Sequence, residues 1–398
     1  MTKKKNSYAV VILILVCAGI FAPNFGQYQV SGFGPQLMKA MGLSTSQFAQ
    51  IATAPLIPGI FLSLVAGILV DKFGARRCMV LAMLLSALGV IWRYFAAGYT
   101  AMYFSMIAMG IGATFLSSNN AKILGQWFPP HKIAITVGIY LGVSNGAIAL
   151  GTGTASLFPS MQAAFLFSAG IAVAVFLLYL FFMRDKKTEP VRQTGEQPEE
   201  RTSILDGIRV SVKNKYVWVA AICLLLNVTA FCSMSQFLPQ ALAARGIAQS
   251  AANTVAMALT LGGLVSCFFS PTIFFMIGRT KLLMVIYSVI AALGMAFAWR
   301  LSDSTTVLFL LIFVTGFFAN GFNPILLSLP IRLEDIGIKY AGTAGGVIAT
   351  IQLAGTVIIP SYIISPIAGT NYSLMFLLFA SLDVLLCFVV HLLPKMER

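Results

Sequence analysis

Lys122 stands in the stretch SSNNAKILGQWFPP, inside a long apolar run. If that run crosses a bilayer, a lysine costs on the order of 2.5–3.5 kcal/mol at the centre and less near the edge. It then needs either a route for its stem to the surface or a compensating anion. Asn119 lies about one helical turn before it, and Asn120 two residues before it. Similar polar side chains interrupt other apolar runs: Asn24, Gln27 and Tyr28, then Tyr140 and Asn145, then Gln236, Asn320, Asn323 and Gln352. In an apolar setting such groups either bond between helices or line a water-filled path. Their chemistry is recognition, carried by amides, phenols and one ammonium group. Acids are scarce: of the 12 Asp and Glu, Asp383 alone lies in mid-run. A cationic solute would meet no counter-charge among these groups. A small anion would complement Lys122.

The elements that must position them are membrane helices. Hydrophobic residues make up 59% and charged residues 10%, against about 25% charged in an ordinary soluble domain. A span needs about 20 apolar residues. Twelve such runs are expected, at 8–37, 46–70, 78–97, 101–127, 132–157, 161–183, 216–241, 248–277, 281–300, 305–330, 340–366 and 371–393. Barrel strands would be shorter and would alternate apolar with polar, so the spans are helices. The start, MTKKKNSYAVVILILVCAG, has the basic and apolar parts of a secretory signal without an Ala-x-Ala site; an uncleaved first helix is expected.

The net charge of +14 is not a nucleic-acid signal, because of where the charge falls. Most of the 26 Lys and Arg lie at the two termini, in the even-to-odd loops and in the polar stretch near mid-chain. Alternating spans put all of these on one side, which the positive-inside rule makes cytoplasmic. Both termini are then inside, and Lys39 and Arg245 are outside. Arg93 and Arg300 fall near the outer ends of spans three and nine. Trp92, Tyr94, Tyr99 and Trp299 are expected in interfacial belts. The six cysteines fall in or beside spans without metal-ligand spacing, so neither a metal site nor a cofactor is expected. No nucleophile–base pair or nucleotide-binding loop appears, which argues against an enzyme.

The chain repeats itself. FGPQLMKAMG at 33–42 returns as FLPQALAARG at 237–246, with Phe33, Pro35, Gln36 and Gly42 matched by Phe237, Pro239, Gln240 and Gly246. At the same offset, Phe73-Gly74 followed by Arg76 and Arg77 returns as Ile277-Gly278 followed by Arg279 and Lys281. KIAITVG at 132–138 matches KYAGTAG at 339–345, and on that register Asn145 pairs with Gln352. The polar stretch from 184 has the composition of a disordered linker. The expected organisation is a six-helix bundle over 1–183, a cytoplasmic linker over 184–215 and a second bundle over 216–398. Two similar bundles of this kind can rock about a site near the midplane.

After span two comes GILVDKFGARR at 67–77. This resembles the loop signature of the major facilitator superfamily, G-x-L-x-D-x-x-G-x-[RK]-[RK], filled by Gly67, Leu69, Asp71, Gly74, Arg76 and Arg77. With twelve spans and a six-plus-six repeat, the resemblance covers the whole chain. It implies secondary transport, with spans 1, 4, 7 and 10 lining the cavity and 3, 6, 9 and 12 outside. It also implies a gating role for Gly67, Asp71, Gly74, Arg76 and Arg77; the alternative for Asp71 is a charge that only fixes topology. The second repeat has Phe275 where the acid would fall. The family's proton-driven drug exporters carry R-x-x-x-G in span four, whereas Met106 precedes Gly110 here. Residues 122–151 resemble the oxalate–formate, nitrate and cyanate carriers. The arginines of the nitrate type and the basic residues of the oxalate type are missing from their spans.

The expectation is an all-α membrane protein of the major facilitator fold, moving a small, carboxylate-like anion across the cell membrane by alternating access. Its substrate-binding set is Lys122, Asn24, Gln27, Tyr28, Asn119, Asn120, Tyr140, Asn145, Gln236, Asn320, Asn323 and Gln352. The expected partners are that solute and the lipid bilayer, with the chain acting as a monomer and binding no nucleic acid. The alternatives are an exporter of hydrophobic or amphiphilic compounds and a transporter-like receptor that signals without flux.

Overall fold

Where no water reaches the backbone, each peptide group must bond within its own segment, and the helix is how one chain does so. The computed structural model describes residues 2–185, 204–333 and 335–394 and is helical nearly throughout. The first half contains α1 (Thr2–Gly32), α2 (Gly34–Met41), α3 (Thr45–Thr53), α4 (Ile57–Phe73), α5 (Ala75–Phe95), α6 (Tyr99–Trp127), α7 (Pro130–Gly153) and α8 (Met161–Phe182). After α9 (Ile204–Lys213) come α10 (Lys215–Ala244), α11 (Gln249–Ile277), α12 (Thr280–Phe297), α13 (Thr305–Asn320), α14 (Asn323–Arg332), α15 (Gly337–Ile358), α16 (Ser365–Ala368) and α17 (Tyr372–Val389).

Eleven helices among the described residues are long and apolar enough to cross a membrane. The twelfth run, expected at 46–70, is built as three pieces: α3, a 3-10 turn over Ala54–Leu56, and α4. Pro55 and Pro58 have no N–H to donate, so an unbroken helical ladder fails between them. A second departure lies in the expected linker. Residues 204–213 of it fold as α9, whose Gly207 sits against Thr343 of α15. Residues 186–203 lie outside the described residues. A third is Trp299, expected at an interface but only 3% exposed and packed edge-on against Phe376. Trp92 and Tyr94 are exposed, as a belt requires.

The internal repeat is visible in the backbone. Gly42 and Gly246 have φ of 61° and 84°, and Gly74 and Gly278 have φ of 87° and 73°. Each pair ends corresponding helices with a conformation that costs glycine least. Within the first half α1 packs on α6, α7 and α8, and α5 on α6 and α8; within the second α10 packs on α15 and α17, α11 on α13, and α12 on α17. The α11–α13 contact is close because both helices put glycine at the crossing: a Cβ on Gly262 would lie 2.0 Å from the Phe313 carbonyl oxygen, and one on Gly316 1.9 Å from that of Leu259. Such small-residue crossings suit helices with no hydrophobic drive to associate in lipid.

The halves meet along α7–α11 and α4–α15, with α1, α2 and α3 reaching α10 and the end of α15. Side-chain hydrogen bonds join them at the end of the bundle opposite the linker. Gln240 Nε2 donates to the Ser31 carbonyl at 3.4 Å and Gln249 Nε2 to that of Gly32 at 3.1 Å. Ser46 Oγ donates to the Ser361 carbonyl at 2.7 Å, and the Thr53 and Ser361 hydroxyls are 3.0 Å apart. Phe48 meets Phe237 edge-on. Ser361 lies in a π-helical segment, Ile359–Ile364, that continues α15. Toward the linker end, Gly67, Gly138, Gly342 and Gly345 have open space where a Cβ would be. Among the described residues, no neighbouring helix approaches Gly67, one of the loop-signature residues, closely.

Candidate functional site

The polar set divides by what each side chain touches. Some bonds stay within one helix. Asn119 is 1% exposed and donates to the Phe115 carbonyl one turn back, and Asn145 donates to that of Leu141. Gln27 joins α1 to α3 by donating to the Ala52 carbonyl at 2.9 Å. Others meet in pairs. Asn24 Nδ2 donates to Ser144 Oγ at 2.7 Å, and the Asn120 amide lies beside the Tyr140 hydroxyl. Asn323 Nδ2 donates to Asn320 Oδ1 at 2.6 Å, and Asn320 in turn donates to the Gly263 carbonyl. Gly321, between these two asparagines, is where the tenth run breaks into α13 and α14; any Cβ there would collide with Tyr287, Ser266 and Ser270.

At the junction of the halves, Tyr28 of α1 lies against Cys232 and Gln236 of α10. Tyr28 and Cys232 are repeat mates, so this contact falls on the axis relating the two bundles. Gln236 is 1% exposed, and neither atom of its amide finds a hydrogen-bond partner among the described residues. Ser233 Oγ and Gln240 Oε1 on the same helix are also unpaired. Buried polar groups are normally satisfied, so these unpaired groups mark this face of α10 as a candidate binding surface. Asn24, Asn120, Asn145, Asn323 and Gln352 are partly accessible and Lys122 is exposed. On α6, Lys122 shares its exposed stripe with Ser118, one turn earlier. The structure thus brings Tyr28 and Gln236 together, and Asn320 and Asn323. It turns Gln27 and Asn119 to helix bonding.

At the linker end, α4 stops at Gly74, and the following helix starts with an acid in place. Asp185, just past α8, accepts the Arg76 backbone N–H at 2.8 Å. A carboxylate at a helix N-terminus satisfies an orphan donor and complements the helix dipole. The sequence reading singled out Asp71 as the acid of this loop and missed Asp185, which lies far along the chain at the edge of the linker. The Asp71 side chain is outside the described residues. Arg76 and Arg77 are exposed.

Sequence reading also missed Arg93. It is 1% exposed and donates to the Gly26 carbonyl, Gln29 Oε1 and Ser168 Oγ, tying α5 to α1 and α8. Its guanidinium lies 4.3 Å from the Phe165 ring centroid. The same register that pairs Asn145 with Gln352 pairs Arg93 with Arg300, which is exposed and donates to Ser373.

Comparison with known proteins bears on all of this. A family model described as Major Facilitator Superfamily matches residues 9–360. The chain is 25% identical over 359 residues to the probable sulfoacetate transporter SauU of Cupriavidus necator, across 85% of this chain and 83% of that one. It is 21% identical over 340 residues to the quinolone resistance protein NorA of Staphylococcus aureus, across 82% of each. Among solved structures, the nucleoside transporter NupG superposes with a TM-score of 0.75 at 14% identity, across 97% of this chain and 99% of that one, a likeness of fold.

Proposed function

The chain belongs to the Major Facilitator Superfamily of membrane transporters, and from that premise we propose that it carries a small carboxylate or sulfonate anion by alternating access. The observation that carries this reading is Lys122. It is exposed on the same stripe of α6 as Ser118, in a chain whose cavity helices contain no mid-span acid. An exposed ammonium facing lipid tails would be expensive; facing a water-filled opening, it is a site for an anion. The amides of Asn24, Asn120, Asn145, Asn323, Gln352 and Gln236, with the phenols of Tyr28 and Tyr140, would orient the solute by neutral hydrogen bonds. SauU is named for a sulfoacetate substrate, a molecule of this class. The drug-export reading draws on NorA, and the residues favour it less because Met106 stands where the exporters' arginine would be.

In this reading the conformation described is inward-facing. The seam is bonded at the end away from the linker, and the glycines of its other end face open space. The two bundles, joined by the linker, rock as units, and the chain works as a monomer. A thermal-shift screen against acetate, oxalate, sulfoacetate and inorganic anions tests the substrate class, because a ligand stabilises the state it binds. Stabilisation by none of them, with stabilisation by lipophilic cations instead, would select the exporter.

Orientation is tested separately. The distribution of basic residues puts both termini and the linker in the cytoplasm. Ala40→Cys and Ala248→Cys, both at exposed positions, should react with a membrane-impermeant thiol reagent on intact cells above the background of the native cysteines. Gly195→Cys should react only after lysis. Labelling at 195 from outside would invert the topology.

The gate has its own expected outcome. Asp71→Asn should leave anion affinity nearly unchanged and slow turnover in proteoliposomes. Asp71 is near the end of α4 in sequence, close to Lys72, Arg76 and Arg77, and a bond made in one state only is worth about 1–3 kcal/mol of coupling. Turnover equal to wild type would leave Asp71 with no role beyond topology.

A further inference from the structure

Asp383 is unused by the site described above. It stands near the middle of α17, inside the span Tyr372–Leu392, and is 0% exposed. Its Oδ1 accepts a hydrogen bond of 3.1 Å from Asn227 Nδ2 on α10. Its other oxygen, Oδ2, has no partner among the described residues, and neither does Asn227 Oδ1. Two buried acceptors, one on each member of a pair that already shares a bond, are left over together.

An ionised carboxylate here would be poorly compensated. Among the described residues no Lys, Arg or His forms an ion pair with it. Of the titratable and charged groups on the helices around it, Cys387, one turn along α17, is in electrostatic contact. Cys223 on α10 and Tyr287 on α12 offer a thiol and a phenol, not a basic group. Lys281 is engaged with the carbonyls of His391 and Leu393 at one end, Arg300 bonds Ser373 at the other, and His391 is exposed. A bare charge in such a place costs far more than a neutral acid. A single proton on Oδ2 would remove the charge and turn one leftover acceptor into a donor for the other. Acid and amide would then be joined by two hydrogen bonds in a ring, with no buried polar atom of the pair left over.

We propose that Asp383 and Asn227 form a proton-binding site, in which the carboxylate takes one proton from water and becomes neutral, and that its occupancy is coupled to the transport cycle. The coupling rests on the transport reading above; the proton site does not. The mechanical link is α10. It carries Asn227 against α17, and also Cys232 and Gln236 against Tyr28 where the halves meet. Loss of the proton would replace a two-bond ring by one bond and an uncompensated charge, loosening α10 from α17 while α10 remains part of the seam.

The test uses the full chain in proteoliposomes. Infrared spectra recorded as a function of pH should show a protonated-carboxyl C=O band at neutral pH that disappears as the pH rises. Asp383→Asn should lack that band. Asn227→Leu, which keeps the acid but removes its amide partner, should shift the band and its titration. An inward proton gradient should speed sulfoacetate uptake several-fold in wild type and not in Asp383→Asn. A neutral-pH band absent from wild type, a band indifferent to both substitutions, or an unchanged gradient response in Asp383→Asn would overturn the proposal. The infrared titration works in protein that moves no solute, so failure of the anion reading and failure of this site are seen apart.

Discussion

Lys122→Ala weakens binding of the transported anion by about tenfold or more, equivalent to ~1.4 kcal/mol, and Lys122→Arg restores part of it. The loss follows from removing the cation on an exposed stripe of α6. The neighbouring amides supply only neutral hydrogen bonds, which are about half as strong as charge-assisted ones. Arginine keeps the charge but spreads it over a planar fork that will not match a site shaped for a point charge, so recovery is incomplete. The measurement is a thermal-shift titration of purified wild type and variants with sulfoacetate or whichever anion the screen identifies. A variant that binds as wild type does would show that the lysine stem reaches the headgroup region instead, and the case for an anion would lose its main support.

Arg93→Met lowers stability by an amount on the order of 3 kcal/mol, read as a clear drop in the thermal denaturation midpoint in detergent. Methionine preserves much of the volume, so the loss is chiefly polar. The carbonyl of Gly26, the amide oxygen of Gln29 and the hydroxyl of Ser168 lose their donor inside a junction of three helices. Stacking on Phe165 is lost with it. Arg93→Lys should recover part of the stability, because one ammonium reaches fewer of the acceptors than a fork does. Arg300→Met, its repeat mate in an exposed position, should cost far less. Equal effects at the two positions would show that burial does not set the difference.

The comparison of these two arginines shows how much of the molecule was legible before folding. Both end an apolar span beside aromatic residues, and both were read as charges near the outer surface. Arg93 is buried and Arg300 is not. The difference lies in what α1 and α8 present to one and α17 to the other, and those residues are distant in sequence. The amides behaved in the same way. Their presence in apolar spans marked them as candidates, but Asn119 bonds its own helix whereas Gln236 lies against Tyr28 across the junction of the halves. The broken second run could have been suspected from Pro55 and Pro58. Its replacement by two helices and a 3-10 turn depended on α3 finding contacts with α6 and with the π-helical end of α15.

The amino-acid sequence by itself determined the class of protein, the approximate positions of eleven spans, the presence of an internal repeat and the family. Each of these rests on local or strictly periodic information: a helix in lipid satisfies its own backbone, so apolar length alone specifies it, and a repeat is a comparison of the chain with itself. Tertiary structure alone decided that the seam is bonded at one end, that Asp185 caps α5, that Arg93 is enclosed by three helices, and that Asp383 shares one bond with Asn227 and leaves one acceptor over on each. These facts depend on which faces of distant helices meet. In a membrane that choice is made by close packing and hydrogen bonding between helices whose apolar surfaces are nearly interchangeable, and so it leaves little trace in the pattern of any one segment.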